Sequence, residues 1–176
     1  MKYYYTEKNY KTLFSNMVIL VDTREQSNSA ILEYFDKKKI PYKSKALKTG
    51  DYSFMIKAAP DLGFPVDTYF TDELCIERKN SIDELAGNLT EESGRFLKEC
   101  NRMINIESVY FLIEDNRIDD IIKGNYKSKY NADSYLRTLL TLQRRCNFYL
   151  NFVERENMGK IIYEICKNCL DNKILK

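Results

Sequence analysis

Two short apolar runs, each closed by acids, restrict the possible folds of this chain more than any other feature. Met17-Val18-Ile19-Leu20-Val21 leads into Asp22, and Val109-Tyr110-Phe111-Leu112-Ile113 into Glu114-Asp115-Asn116. Runs this short with no polar alternation suit strands buried on both faces, and such strands need helices over both sides of their sheet. The segments between supply the matching period. Ile31, Leu32 and Phe35 recur at helical spacing and predict a helix over 29–38, capped by Ser29 and ended by Pro41. Ser81, with Glu84 three residues on, predicts a capped short helix that Gly87 interrupts. Further helices are expected over 91–104, 133–145 and 158–170, with Tyr135, Leu136, Leu139, Leu140 and Leu142 on the apolar side of the middle one. Strands are expected over 42–47, 52–56, 74–79 and 148–153. The first two are expected to pair as a hairpin across Thr49-Gly50, and residues 57–72, with Pro60, Gly63 and Pro65, to form a loop or irregular hairpin connection. Strands alternating with helices predict an α/β fold, a central sheet with helices on its faces. At 176 residues there is room for one such domain, expected over 17–172, behind a tyrosine- and lysine-rich N-terminal arm or short helix over 1–16.

Composition excludes several kinds of chemistry. There is no histidine, which removes imidazole general bases, His-ligated zinc and the imidazole-dependent nucleophile triads. The five cysteines, an odd number spread through apolar or helical stretches, suit reduced thiols, and Cys166-Lys167-Asn168-Cys169 is expected to be an ordinary pair on a helix. No apolar run approaches membrane-spanning length and the N-terminus lacks a secretory signal, so a cytoplasmic location is expected, with no membrane partner. The formal net charge of +2 says nothing about nucleic acid, but local crowding does. Lys37, Lys38, Lys39, Lys43, Lys45 and Lys48 precede Asp51, while Lys123, Lys127 and Lys129 alternate with Tyr126 and Tyr130. Either patch suits phosphate contacts or, equally, a solvated surface.

The acids themselves point to metal-assisted chemistry. Asp22 and Glu25 lie in Val21-Asp22-Thr23-Arg24-Glu25, Asp51 in Lys48-Thr49-Gly50-Asp51-Tyr52, and Glu77 in Glu77-Arg78-Lys79. On a strand, Glu77 and Lys79 share one face while Arg78 points to the other. Four carboxylates gathered at one place repel unless a cation or a proton sits between them. Magnesium suits such an all-oxygen site, taking one or two carboxylates and leaving its other positions to water and phosphate.

Taken in order, Asp22-Thr23-Arg24-Glu25, Gly50-Asp51-Tyr52, Glu77-Arg78-Lys79 with Asp83, and Gly94-Arg95-Phe96 with Glu99 resemble the XPF-type nuclease domain, the family of the archaeal Hef nuclease and the eukaryotic flap and fork endonucleases. The resemblance runs from about Met17 to Leu170. It implies a restriction-endonuclease-like fold with a central mixed sheet flanked by helices, dependence on Mg2+ or Mn2+, and cleavage of branched or flapped DNA. Carried over, it makes Asp51 and Glu77 the principal metal ligands, with Asp22 and Glu25 completing or water-bridging the site. Lys79 would stabilise the attacking water or the phosphorane charge. Arg78, the middle basic residue of the catalytic triplet, is expected to pair with a helix carboxylate, and Arg95 to lie near the DNA backbone, with Lys48, Lys127 and Lys129 as further DNA contacts. Relatives dimerise through their last helices, which makes Ile161, Ile162, Ile165 and Leu170 either a stripe facing a second copy or protein partner, or residues packed on the sheet. Base stacking on Tyr3, Tyr4 or Tyr5 is a further expectation. Two other functions stay open: a non-catalytic DNA-binding or scaffold subunit, and a restriction-type or junction-resolving nuclease of the same fold.

Overall fold

A computed structural model describes residues 5–91 and 93–174. The chain order is α1 (Glu7–Asn16), β1 (Met17–Val21), α2 (Ser29–Lys38), β2 (Tyr42–Ser44), β3 (Tyr52–Ile56), β4 (Thr68–Tyr69), β5 (Leu74–Lys79), α3 (Ile82–Thr90), α4 (Ser93–Met103), β6 (Ser108–Glu114), α5 (Ile118–Lys123), α6 (Ala132–Cys146), β7 (Phe148–Val153) and α7 (Met158–Ile174). All strands join one mixed sheet in the order β2-β1-β3-β5-β6-β7, with β4 on the edge of β3. β2 runs parallel to β1, β3 antiparallel to β1 and to β5, and β5, β6 and β7 parallel to one another.

The apolar runs behave as their composition dictates. Every residue of β1 is buried, and alternation divides its side chains between two cores. Met17, Ile19 and Val21 meet Ile31 and Phe35 of α2, Met158, Ile162, Cys166 and Leu170 of α7, and Leu13 of α1. On the other side of the sheet, Cys75, Val109, Phe111 and Ile113 pack under α3, α4, α5 and α6. The result is a three-layer α/β/α arrangement with a central mixed sheet, as expected.

Four details differ from the sequence-based expectations. Residues 42–47 and 52–56 do not form a hairpin. β2 pairs with β1 as a parallel neighbour, Leu20 opposite Lys43, and β3 takes the other edge of β1, Leu20 opposite Ser53. A buried central strand needs partners on both edges, and α2 supplies the crossover that parallel pairing requires. Gly87 does not interrupt α3, because Ile82, Leu85, Ala86 and Leu89 are buried along one face, which outweighs the ~1 kcal/mol that a helix-interior glycine costs. The cap of α2 is Asn28, with no side-chain cap bond, not Ser29. Leu140 is 55% exposed, since the buried face of α6 follows Tyr135, Leu139, Leu142 and Cys146.

Of the α7 stripe, Ile162 and Leu170 are fully buried in the core, and Ile161 and Ile165 pack against it. In α1, Leu13 is also fully buried. Tyr5 donates its hydroxyl to the Leu62 carbonyl at 3.0 Å, while Tyr3 and Tyr4 lie outside the described residues. Among the described residues, no helix is long and apolar enough to cross a membrane.

Candidate active site

Strand register brings the acids to one end of the sheet. Val21 stands opposite Tyr52, and the ladder continues with Asp22 N–H donating to the Asp51 carbonyl and Asp51 N–H to the Ile76 carbonyl, both at 2.8 Å. Asp22, just past β1, Asp51, just before β3, and Glu77 on β5 therefore end up side by side, on the side of the sheet that α3 and α4 cover. The turn before Asp51 requires glycine. Gly50 has φ +75°, and a Cβ there would lie 2.4 Å from Cys75 Sγ and 3.0 Å from the Ile76 carbonyl oxygen.

A pocket of about 220 Å³ opens at this point. β5 contributes Glu77 and Lys79, the Gly50 turn contributes Asp51, α3 gives Glu84 and Asn88, α4 gives Arg95, Phe96 and Glu99, and the loop after β1 gives Arg24. Lys79 Nζ donates to Glu77 Oε1 at 2.7 Å and lies 3.7 Å from Glu84 Oε1. Asp51 Oδ2 accepts the Arg78 backbone N–H at 2.8 Å. Burial, reinforced by the charge of Glu77, pushes the Asp51 carboxyl well above the ordinary range. Burial also raises Glu77, against the pull of Lys79. The Lys79 pKa is raised as well, which here favours the charged form: burial disfavours its ammonium, but Glu77 more than compensates. The pocket thus holds a lysine kept charged beside two carboxylates that favour a proton or a cation.

Both of those carboxylates offer hard oxygen donors. Among the described residues, no three His, Cys, Asp or Glu side chains converge closely enough to enclose a metal. A pair of carboxylates opening into a polar pocket suits an ion that keeps several waters, as magnesium does, and does not suit an all-protein cage. The donor set therefore fits a divalent ion held by Asp51 and Glu77.

The expected ligands Asp22 and Glu25 are engaged elsewhere. Asp22 Oδ1 accepts Arg24 N at 2.9 Å and Arg24 Nε at 2.6 Å, and its Oδ2 accepts Leu47 N at 2.6 Å. Burial opposes ionisation of Asp22, yet the Arg24 and Leu47 bonds outweigh it and lower its pKa. Glu25 Oε1 pairs with Arg78 Nη2 at 2.8 Å. Arg78, expected as a catalytic residue, is turned away from the pocket: its guanidinium is buried on the opposite side of the sheet, bonded to Glu114, to Asn80 Oδ1 at 2.8 Å and to the Ser27 carbonyl at 2.9 Å. Its carboxylate partners sit on a loop and a strand end, not on a helix: Glu25 lies in the loop after β1, and Glu114 at the carboxyl end of β6, the parallel neighbour of β5.

The expected DNA contacts separate. Arg95 lines the pocket, whereas Lys48 is exposed on the β2–β3 connection. Lys127 and Lys129 line a different groove with Asp83 and Gly87, across α3 from Glu84 and Asn88. Asp83 Oδ1 accepts the backbone N–H groups of Lys127 and Ser128 at 2.7 and 2.9 Å. Sequence reasoning missed Arg24, Glu84 and Asn88 as pocket residues. Arg24 sits inside a motif already noted, and Glu84 and Asn88 share a helix face four residues apart, which was the available signal.

The ERCC4 domain family model matches residues 21–164. No curated protein matches the chain. Among solved structures, XPF from Aeropyrum pernix is similar, with a TM-score of 0.61, 20% identity, and coverage of 86% of this chain and 60% of that one. A structure of XPF from Aeropyrum pernix in complex with DNA is also similar, at TM-score 0.61 and 19% identity over 88% of this chain and 66% of that one. The chain therefore spans less than two thirds of the length of either.

Proposed function

Because the chain belongs to the ERCC4 domain family, we propose that it is a metal-dependent endonuclease hydrolysing phosphodiester bonds in branched, flapped or otherwise structured DNA. The observation that carries this reading is the convergence of Asp51, Glu77 and a charged Lys79 in one polar pocket. Asp51 and Glu77 would hold Mg2+ or Mn2+, which when bound activates water and offsets charge on a phosphate oxygen. Lys79, held by Glu77, puts an ammonium where negative charge builds on the phosphate. Arg24, 66% exposed but anchored through Asp22, and Arg95 across the pocket offer guanidinium groups to flanking phosphates. Arg78 supports the site from behind, through its backbone bond to Asp51. Action on DNA in a reducing, cytoplasmic compartment, alone or with a second copy or protein partner, belongs to the same proposal.

The test is cleavage of labelled fork, flap and duplex DNA with and without magnesium. Asp51→Asn and Glu77→Gln should each lower the rate at least about 100-fold, and wild-type cutting by either would overturn the assignment. Metal-independent binding without any nicking would favour the scaffold-subunit alternative.

A further inference from the structure

Among the described residues, no helix packs over one part of the sheet on the pocket side. There the buried apolar residues are Val18, Leu20, Leu47 and Met55, a cluster with no helix residue in it. Lys43 on β2 stands opposite Leu20, and Tyr69 on β4 opposite Met55, so both project from this side and cover the cluster. Lys43 Nζ donates to the Tyr69 hydroxyl at 3.3 Å and lies 5.2 Å from the ring centroid, and Lys45 Nζ lies 4.7 Å from it. Two ammonium groups are thus gathered at one ring that is itself 40% exposed. Among the described residues, neither lysine has a carboxylate within ion-pair distance. The ring attracts each cation through its face, but their mutual repulsion is left without an anion.

Position indicates which anion. Asp51, Ser53 and Met55 alternate onto the same side of β3, and Tyr69 pairs with Met55. Tyr69 therefore stands about 13 Å from Asp51 along the strand, some three to four nucleotides at the rise of duplex DNA, and Lys43, level with Ser53 through Leu20, stands about 7 Å along.

We propose that Lys43, Lys45 and Tyr69 form a backbone-binding site for the DNA strand leading away from the Asp51–Glu77 pocket, with Tyr69 holding the two ammonium groups at a spacing that grips phosphodiester oxygens. The site rests on the nuclease reading and extends it to the path of the substrate. It carries no sequence information, because it meets phosphates and not base edges.

The experiment is fluorescence anisotropy of a labelled flap DNA in metal-free buffer across a range of salt, with magnesium-dependent cleavage of the same DNA in parallel. Lys43→Ala/Lys45→Ala should raise Kd about tenfold at 0.1 M salt and reduce the slope of log K against log salt by about 1.5 to 2. Tyr69→Leu, which keeps apolar cover over Met55, should give part of that loss, and Lys43→Arg/Lys45→Arg should restore binding. An alanine pair with wild-type affinity and slope would overturn the proposal while leaving the nuclease reading intact. Wild-type protein that neither binds nor cuts any DNA would instead overturn the nuclease reading itself.

Discussion

Asp51 is under opposing demands. Burial and the charge of Glu77 raise its pKa above the ordinary 3.8, so the folded chain holds this proton more tightly than the unfolded chain. Stability should therefore fall as pH rises from about 3.8 toward the folded value, and the loss should persist above it. In metal-free buffer, Asp51→Asn should be more resistant to urea than wild type at pH 8, with the advantage shrinking toward pH 4. Adding magnesium should raise the wild-type midpoint and leave the variant's unchanged, because an ion that binds only the native site stabilises by mass action. A wild type more stable than the variant in metal-free buffer at pH 8 would contradict this account of the pocket. Gly50 is constrained by geometry instead of charge. Gly50→Ala should cost about 2–4 kcal/mol, combining left-handed backbone strain with overpacking against Cys75. Cys75→Ala in the same chain should recover only part of that in equilibrium denaturation, since it relieves the Sγ contact but not the φ of +75° or the approach to the Ile76 carbonyl.

At the level of elements, two polar clamps keep strands and loops in register. Arg78 joins the loop after β1 to the ends of β5 and β6 through Glu25, Ser27 and Glu114, and Arg155 makes a second bond to Glu114 at 2.9 Å. Arg78→Met should destabilise by about 3–5 kcal/mol, because Glu25 loses its cation and Glu114 keeps only the more exposed Arg155. Combining it with Glu25→Gln and Glu114→Gln should restore most of the loss in a urea titration. The second clamp is Asp83, whose carboxylate ties α3 to the loop carrying Lys127. Asp83→Ala should cost about 1–2 kcal/mol and speed hydrogen exchange at the Lys127 and Ser128 amides ahead of the rest of the loop. Unchanged protection at those two amides would show that the clamp does not hold the loop.

For the whole molecule, the cores on the two sides of the sheet unite segments far apart in the chain. Leu13 of α1 is fully buried beside Met17 and residues of α7, so Leu13→Ala should lower stability by about 2–5 kcal/mol, measured by denaturant unfolding; a change below 0.5 kcal/mol would mean that α1 is dispensable to the fold. How much of this was legible beforehand follows from range. Met17–Val21 matches its predicted bounds because a continuous apolar run reports burial residue by residue; Leu74–Lys79 matches too, its three charged residues divided between the faces by strand alternation. Glu77 and Lys79 on one face, with Arg78 on the other, followed from the same alternation. Pairing was not legible: a turn at Thr49-Gly50 reads as a hairpin locally, and only the demand of β1 for two neighbours sends β2 and β3 to opposite edges. Nor could sequence show which acids would meet. Asp22, Glu25, Asp51 and Glu77 are equally acidic in one dimension, but Arg24 and Leu47 take the first, Arg78 takes the second, and only the last two open into the pocket. Local composition determined which segments are buried and which groups are available for chemistry, because burial and alternation act over a few residues. Tertiary structure decided which carboxylates are bonded away from the pocket and which open into it, because partners such as Leu47 for Asp22 and Arg78 for Glu25 lie tens of residues away in the chain.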